Sequence, residues 1–335
     1  AAEALLHSPS RPEVDLLERL PCPFGLVRSG VAPDHPKLKN AIKVYEQIAT
    51  HPRFAYFGNV TVGRDVAVAE LLDTHHAVIL CHGAESDRRL GVPGEDLPGS
   101  HTATEFVGWY NGHPDHRDRT FDLGVETAVI VGQGNVAADV ARILARSVDE
   151  LRTTDIAAHA IEALALSRVR EILVIGRRGP AQAKFTRKEL KEFGELADCD
   201  AAVEPGALDL DPASRIEVED RSNPGAGRNY ELLQAFAAAP PRGRRRRCEF
   251  RFLRSPRELH GEGRLTAITF EHNELVGEPF NMIARGTGRS ERTACGLCLR
   301  SIGYRGRPLP GAPFDERRGI VPNRAGRVIG SDGTP

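Results

Sequence analysis

Apolar positions in this chain alternate between two rhythms. Short unbroken runs bounded by turn residues are followed by stretches in which apolar side chains return every third or fourth position. The runs at 14–18 (VDLLE), 54–62 (FAYFGNVTV), 77–81 (AVILC), 129–131 (VIV) and 171–176 (EILVIG) have the length and composition of strands, the first of them buried. The segment 34–49 predicts a helix: Asp34 caps it, Pro36 suits its first turn, and Leu38, Ile42, Tyr45 and Ile48 share one face. Further helices are expected after the glycine turn at 132–134 and over 154–167. Strands alternating with helices predict an α/β fold built on a parallel sheet. Beyond position 250 the pattern changes to short strands, FRFL, AITFEHN and LCLRSIGYR. Before it, the Gly-, Pro- and Arg-rich stretch 223–247 reads as a surface loop or a loop carrying a helix.

Composition narrows the function classes. With 335 residues the chain is long enough for two domains. A net charge of −1 argues against a general nucleic-acid binder. Six scattered cysteines form no disulfide scaffold and predict a reducing compartment. No apolar run reaches the ~18 residues of a membrane helix, and the start, AAEALLHSPS, has no signal-peptide pattern. The chain opens as if inside a helix and ends just past an expected strand, so truncation at both ends is expected.

The stretch VIVGQGNVAADVARILAR concentrates the chemistry. Gly132 permits a tight turn out of the strand. Gly134, lacking a Cβ, lets a pyrophosphate approach, and Ala137 lets the helix pack close to the strand. The helix N-terminus presents free N–H groups to an anion. In an NAD site the next strand ends in a carboxylate that binds the ribose hydroxyls. Here it ends in Gly176-Arg177-Arg178-Gly179, and two guanidinium groups favour a 2′-phosphate and hence NADP.

Two other features carry candidate chemistry. Cys295 and Cys298 form a CxxC pair, but in a strand their Cα atoms lie roughly 10 Å apart, beyond the ~7 Å that a disulfide spans. A buried small residue is expected at Cys298, and no metal site is predicted. The run Arg242–Arg247 reads first as a solvated loop, and otherwise as a docking surface for an acidic partner.

The stretches PCPFGLVRSGVAPDHPKLKN, GQGNVAADVARIL, GRRGPAQAKFTRKEL and SIGYRG, in this order, resemble the adrenodoxin reductase family of NADPH-dependent ferredoxin reductases. The resemblance implies two dinucleotide-binding domains of the glutathione-reductase type. Residues 1–108 and 303–335 would belong to an FAD domain that lacks its first glycine fingerprint, and 109–302 to an NADP domain inserted into it. It implies FAD contacts at Glu18, Leu26 and Val62, and NADP contacts at Gln133, Gly134, Asn135, Val136, Arg177, Arg178 and Glu189. The implied acceptor is a small acidic ferredoxin- or adrenodoxin-like iron–sulfur protein. The compartment would be the mitochondrial matrix in a eukaryote and the cytoplasm in a bacterium. His35 and Asp139 are candidates for relaying or stabilising charge near the flavin. Each also has a plain structural reading, as a first-turn residue of its helix. Ala181 and Lys184 depart from the more apolar family pattern. Two further readings stay open: an electron feeder like the small subunit of glutamate synthase, and an inactive fragment that binds NADP without flavin.

Overall fold

The structure is a computed structural model that describes residues 1–330; the last five positions of the expected return segment, 331–335, lie outside the described residues. The chain divides into two compact units. One comprises Ala1–Val31, His35–Arg88 and the chain from Gly303 onward; the other comprises Ala32–Asp34 and Arg89–Ile302.

The first unit begins with helix α1 (Ala2–Leu6) and strand β1 (Val14–Glu18), followed by α2 (Gly25–Ser29). The expected helix over 34–49 is two pieces, α3 (Pro36–Lys39) and α4 (Ile42–Ala49). Its cap is also corrected: the N-cap residue is His35, without a side-chain cap. The Asp34 carboxylate instead binds arginines of the second unit's own helix. Strand β2 ends earlier than expected, spanning Phe54–Gly58, and pairs with β1 in parallel. The β1 strand is not buried, since Leu16 is 37% exposed. Helix α5 (Val68–Thr74) follows, then the short strand β3 (Ser86–Asp87). The strand expected at 77–81 does not form. That run meets no partner strand, and Ile79 stays 53% exposed.

The second unit is layered. After β4 (Ser100–Thr102) and α6 (Ala103–Tyr110) come β5 (Thr127–Val131) and α7 (Asn135–Ala145). The helix expected over 154–167 is α9 (Ala158–Ala165), preceded by a separate turn α8 (Val148–Leu151) with its own Ser147 cap. Next come β6 (Glu171–Ile175), α10 (Arg187–Glu195), β7 (Cys199–Val203), α11 (Pro212–Glu219), α12 (Gly225–Ala238) and β8 (Arg246–Arg251). An antiparallel sheet of β9 (Arg254–His260), β10 (Ala267–Val276) and β11 (Ile283–Ala294) follows, and β12 (Leu297–Arg300) returns to the parallel sheet. The parallel sheet has the order β4-β12-β5-β6-β8-β7.

The period-two geometry of a strand explains why β5 and β6 read as unbroken apolar runs. Ala128, Ile130, Ile172 and Val174 face the helices, packing with Ala137, Ala141 and Leu144 of α7. Val129, Val131, Leu173 and Ile175 face the other way, onto Leu259, Ile268 and Phe270 of the antiparallel sheet. Both faces are dry. Each such aliphatic side chain contributes roughly 1.5–3 kcal/mol on burial, and this double burial holds the ends of β5 and β6 in place.

The arginine run before β8 is not a free loop. Arg242 binds Asp200 at 2.9 Å, and the buried Arg246 binds Asp198 at 2.8 Å. Arg247 pairs with Glu249. Arg242 and Arg246 thus tie the segment around β8 to that around β7, and Arg247 is paired within β8. Cys295 and Cys298 are buried and free, and burial raises the Cys295 thiol to about 12.

Candidate functional site

Strands β5 and β6 run parallel in register, Val131 opposite Ile175, so Gly132 and Gly176 leave the sheet side by side. Gly132 has φ +137°, and a Cβ there would meet the Ser301 carbonyl oxygen at 2.1 Å. Only glycine fits. Gly134 differs: its backbone is extended (φ −113°), and a Cβ there would meet nothing within 4 Å. Open space thus lies in front of Gly134, at the N-terminus of α7. No side chain caps that terminus, so its first N–H groups face this space as a site for an anion.

The segment leaving β6 is tied to this turn at two points. Lys184 N–H donates to the Gln133 carbonyl at 2.7 Å, and Thr186 N–H donates to Asn135 Oδ1 at 2.8 Å. The Gln133 amide donates to the Arg251 carbonyl at 3.1 Å and lies over Gly176. Gln133 and Asn135 therefore hold the turn through their side chains, and Val136 is half-buried against the core.

Arg177 and Arg178 stand at the end of β6, the first exposed and the second half-buried. Among the described residues neither guanidinium meets a carboxylate. Arg251 and Arg254, on the strands that follow, are by contrast ion-paired. The Arg177 and Arg178 carbonyls accept from Asn273 Nδ2 and Leu253 N–H, fixing the backbone while the side chains stay available.

Glu189 and Asp139 meet in a cluster that sequence spacing did not reveal. Arg142 of α7 is fully buried and contacts Asp34 at 2.5 Å, Asp139 at 2.7 Å, Glu189 at 2.8 Å and Glu192 at 3.3 Å. Burial opposes charge on Arg142, yet the hydrogen bond and charge of Asp34, with Asp139 and Glu192, hold its pKa above the ordinary guanidinium value. Burial likewise opposes charge on Asp34, and Arg142 and Arg146 override it, keeping the carboxyl below its usual range. Arg142 binds the Glu189 carboxylate, expected at NADP, and that residue is 5% exposed. The one sequence signal was an arginine on an otherwise apolar helix face, three residues after Asp139.

In the first unit, Glu18 closes β1 and its Oε1 accepts from Leu20 N–H at 2.9 Å. Leu26 is 78% exposed on α2, and Val62 is half-buried beside the bridge to Val66. His35 is 4% exposed, at the start of α3.

No protein-family model matches the chain. Individual proteins do. It is 47% identical to the NADPH-ferredoxin reductase FprA of Mycobacterium tuberculosis, an alignment covering 99% of this chain and 73% of that protein. It is 44% identical to the mitochondrial NADPH:adrenodoxin oxidoreductase of Arabidopsis thaliana, over 98% of this chain and 70% of the relative. The structure of M. tuberculosis FprA in complex with NADPH superposes with a TM-score of 0.92 at 46% identity, covering 99% of this chain and 74% of that one. This chain belongs to the NADPH–ferredoxin and adrenodoxin reductase family. The family's named members include bacterial and mitochondrial proteins. No described helix of this family member is long and apolar enough to cross a membrane.

Proposed function

We propose that this chain takes reducing equivalents from NADPH into a bound FAD and passes them to a ferredoxin- or adrenodoxin-type iron–sulfur protein. One observation carries the NADPH half: Arg177 and Arg178, neither of which meets a carboxylate among the described residues, stand at the end of β6 beside the open N-terminus of α7. Residues and cofactor fit there. The space before Gly134 and the α7 N–H groups accept a pyrophosphate, and the arginine pair accepts a 2′-phosphate with charge-assisted hydrogen bonds. Glu189, held by Arg142 at the start of α10, remains a proposed NADP contact.

For FAD the fit is partial. Glu18 at the end of β1 offers a carboxylate to a ribose, and Leu16, Leu26 and Phe57 offer apolar surface, each more than a third exposed. When bound, the flavin supplies the conversion of a two-electron donor into single-electron transfers. The protein's part is to bind, orient and exclude water, with His35 and Asp139 proposed to hold charge near the flavin. The compartment follows the host: mitochondrial matrix in a eukaryote, cytoplasm in a bacterium. A second reading, an NADP-binding chain that retains no flavin, is favoured by how little of the first unit's apolar surface is buried.

The test adds FAD to the purified chain, removes the excess by gel filtration, and mixes anaerobically with NADPH, followed by a ferredoxin-reduction assay. Retained flavin absorbance that bleaches, with ferredoxin reduced, is the expected result. NADP+ binding without retained flavin selects the second reading. Arg177→Ala with Arg178→Ala should weaken NADP+ by at least about 100-fold, because two charged hydrogen bonds of ~1.5–3 kcal/mol each are lost, and weaken NAD+ far less. Equal losses for both cofactors would remove the phosphate assignment.

A further inference from the structure

The chain leaving β6 is bracketed by the segment that joins β8 to the antiparallel sheet. Gly176 N–H donates to the Arg251 carbonyl at 2.8 Å, Arg254 N–H to the Gly176 carbonyl at 2.9 Å, and Leu253 N–H to the Arg178 carbonyl at 3.0 Å. All of these are backbone bonds. The Arg177 carbonyl is held differently, by a side chain: Asn273 Nδ2 donates to it at 2.8 Å.

Asn273 lies on β10 and is 7% exposed. Ile268 and Phe270 of the same strand belong to the apolar cluster with Leu173 and Ile175, and strict alternation would carry Asn273 to the opposite face. The register of β10 against β11 shifts between Glu271 and Asn273, and a bulge of this kind re-aims the side chain beside it. The Asn273 N–H donates to the Leu253 carbonyl at 2.8 Å. Leu253 has a left-handed backbone (φ +53°), uncommon for any residue other than glycine. The conformation persists because both of its backbone groups are bonded, the N–H to Arg178 and the carbonyl from Asn273. The Asn273 amide also donates to Ser255 Oγ at 2.8 Å, which fixes its orientation toward Arg177.

The peptide so fixed is the one between Arg177 and Arg178. Neither guanidinium meets a carboxylate among the described residues, so the backbone is what aims the two side chains. Rotating that peptide turns the Cα–Cβ directions of the two arginines relative to each other. Charge-assisted hydrogen bonds to a phosphate weaken steeply when their donors are misaligned.

We propose that Asn273 is a positioning residue for cofactor discrimination: acting through the Arg177 carbonyl, it sets how Arg177 and Arg178 converge, and so how strongly NADP is preferred to NAD. This rests on the proposed use of the two arginines for the 2′-phosphate. The antiparallel sheet thereby gains a role in specificity, although Asn273 itself need not touch the dinucleotide. In the sequence it is one polar residue of a short strand, and no spacing marks it.

The test is calorimetric titration of the parent chain and of Asn273→Leu with NADP+ and with NAD+. Leucine keeps the branched shape of the side chain and removes the amide hydrogens without adding charge. NADP+ should bind about tenfold more weakly to Asn273→Leu, a part of the ~100-fold or more expected on losing both arginines, and NAD+ less than about twofold more weakly. The substitution is then repeated in the Arg177→Ala, Arg178→Ala chain. There it should leave the remaining NADP+ affinity unchanged, because a residue acting only through the arginines has nothing left to aim. Should Asn273→Leu fail to fold, Asn273→Ala, which adds no bulk, is held to the same outcomes. Equal losses for NADP+ and NAD+ would make Asn273 a plain strut and overturn the proposal. So would an unchanged NADP+ affinity, or a loss that persists without the arginines. A parent chain with no preference for NADP+ over NAD+ removes the phosphate reading itself, and the role of Asn273 goes with it.

Discussion

At the scale of single residues, Arg142 decides most. Four carboxylates converge on a guanidinium with no solvent exposure, and Arg146 shares Asp34 at 2.9 Å. Removing one partner of a buried ion cluster costs far more than the pairing contributes, because the other charges stay desolvated. Arg142→Met is therefore expected to lower the unfolding free energy by about 3–5 kcal/mol, read by urea denaturation. The pH dependence carries a sharper signature. In the unaltered chain the Asp34 pKa is held below its unfolded value of 3.8, so that stability is present above this pH and is lost as pH falls through the lower folded value. Without Arg142 the buried Asp34 carboxylate favours its protonated form, its folded pKa rises, and mild acidification should narrow the gap between variant and parent. A gap that widens on acidification between pH 6 and pH 4.5 would refute this account. None of the cluster was legible beforehand beyond the lone arginine on the apolar face, because Asp34 lies far from Arg142 along the chain and no spacing rule connects them.

At the scale of elements, what could be read depended on where the deciding contacts lie. The β5 and β6 strands and α7 were legible to within a residue or two, because their apolar periods are long and both faces of the strands are buried. The apolar period over 34–49 predicts a single helix. It is broken at Asn40 and Ala41, and Leu38 on its supposed inner face is 51% exposed. The apolar run 77–81 has strand composition without a neighbouring strand to complete its ladder, and composition alone could not supply one. The glycine turn was read correctly in kind, and the structure divides its labour. Gly132→Ala places a Cβ on the Ser301 carbonyl at a φ of +137°, so it should destabilise the fold by several kcal/mol. Gly134→Ala has an allowed backbone and no clash, so its thermal midpoint should match the parent. That methyl group would, however, occupy the space proposed for the pyrophosphate, and NADP+ binding should fall by at least tenfold. Calorimetric melting and NADP+ titration of the two variants separate these roles. Similar melting losses in both would show that the second glycine is structural as well.

At the scale of the whole molecule the two units differ in how they are held together. The second contains two dry clusters, one on each face of the parallel sheet. The first has Leu6, Val68 and Leu71 as its buried hydrophobic side chains among the described residues, while Leu16, Leu26, Leu38, Val44, Phe57, Leu72, Ile79 and Tyr304 are exposed. A unit that buries so little apolar area has little to offset its conformational entropy, so its opening free energy should lie well below that of its neighbour. Amide hydrogen exchange reads this unit by unit. Amides of β1 and β2 should exchange through low-energy openings, whereas those of β5, β6 and β8 should exchange only with global unfolding. Binding that favours the folded form of one unit raises protection there by RT ln(1 + [L]/Kd). Excess FAD should therefore slow β1 and β2 selectively, and NADP+ should slow the amides around Gly134 and Arg177. Uniform exchange across both units without ligand would mean that the chain unfolds as one cooperative body and that the exposed apolar surface of the first unit costs it nothing. Selective protection by FAD would identify that surface as the place the flavin covers, and would connect a sparse core to the cofactor chemistry proposed for it.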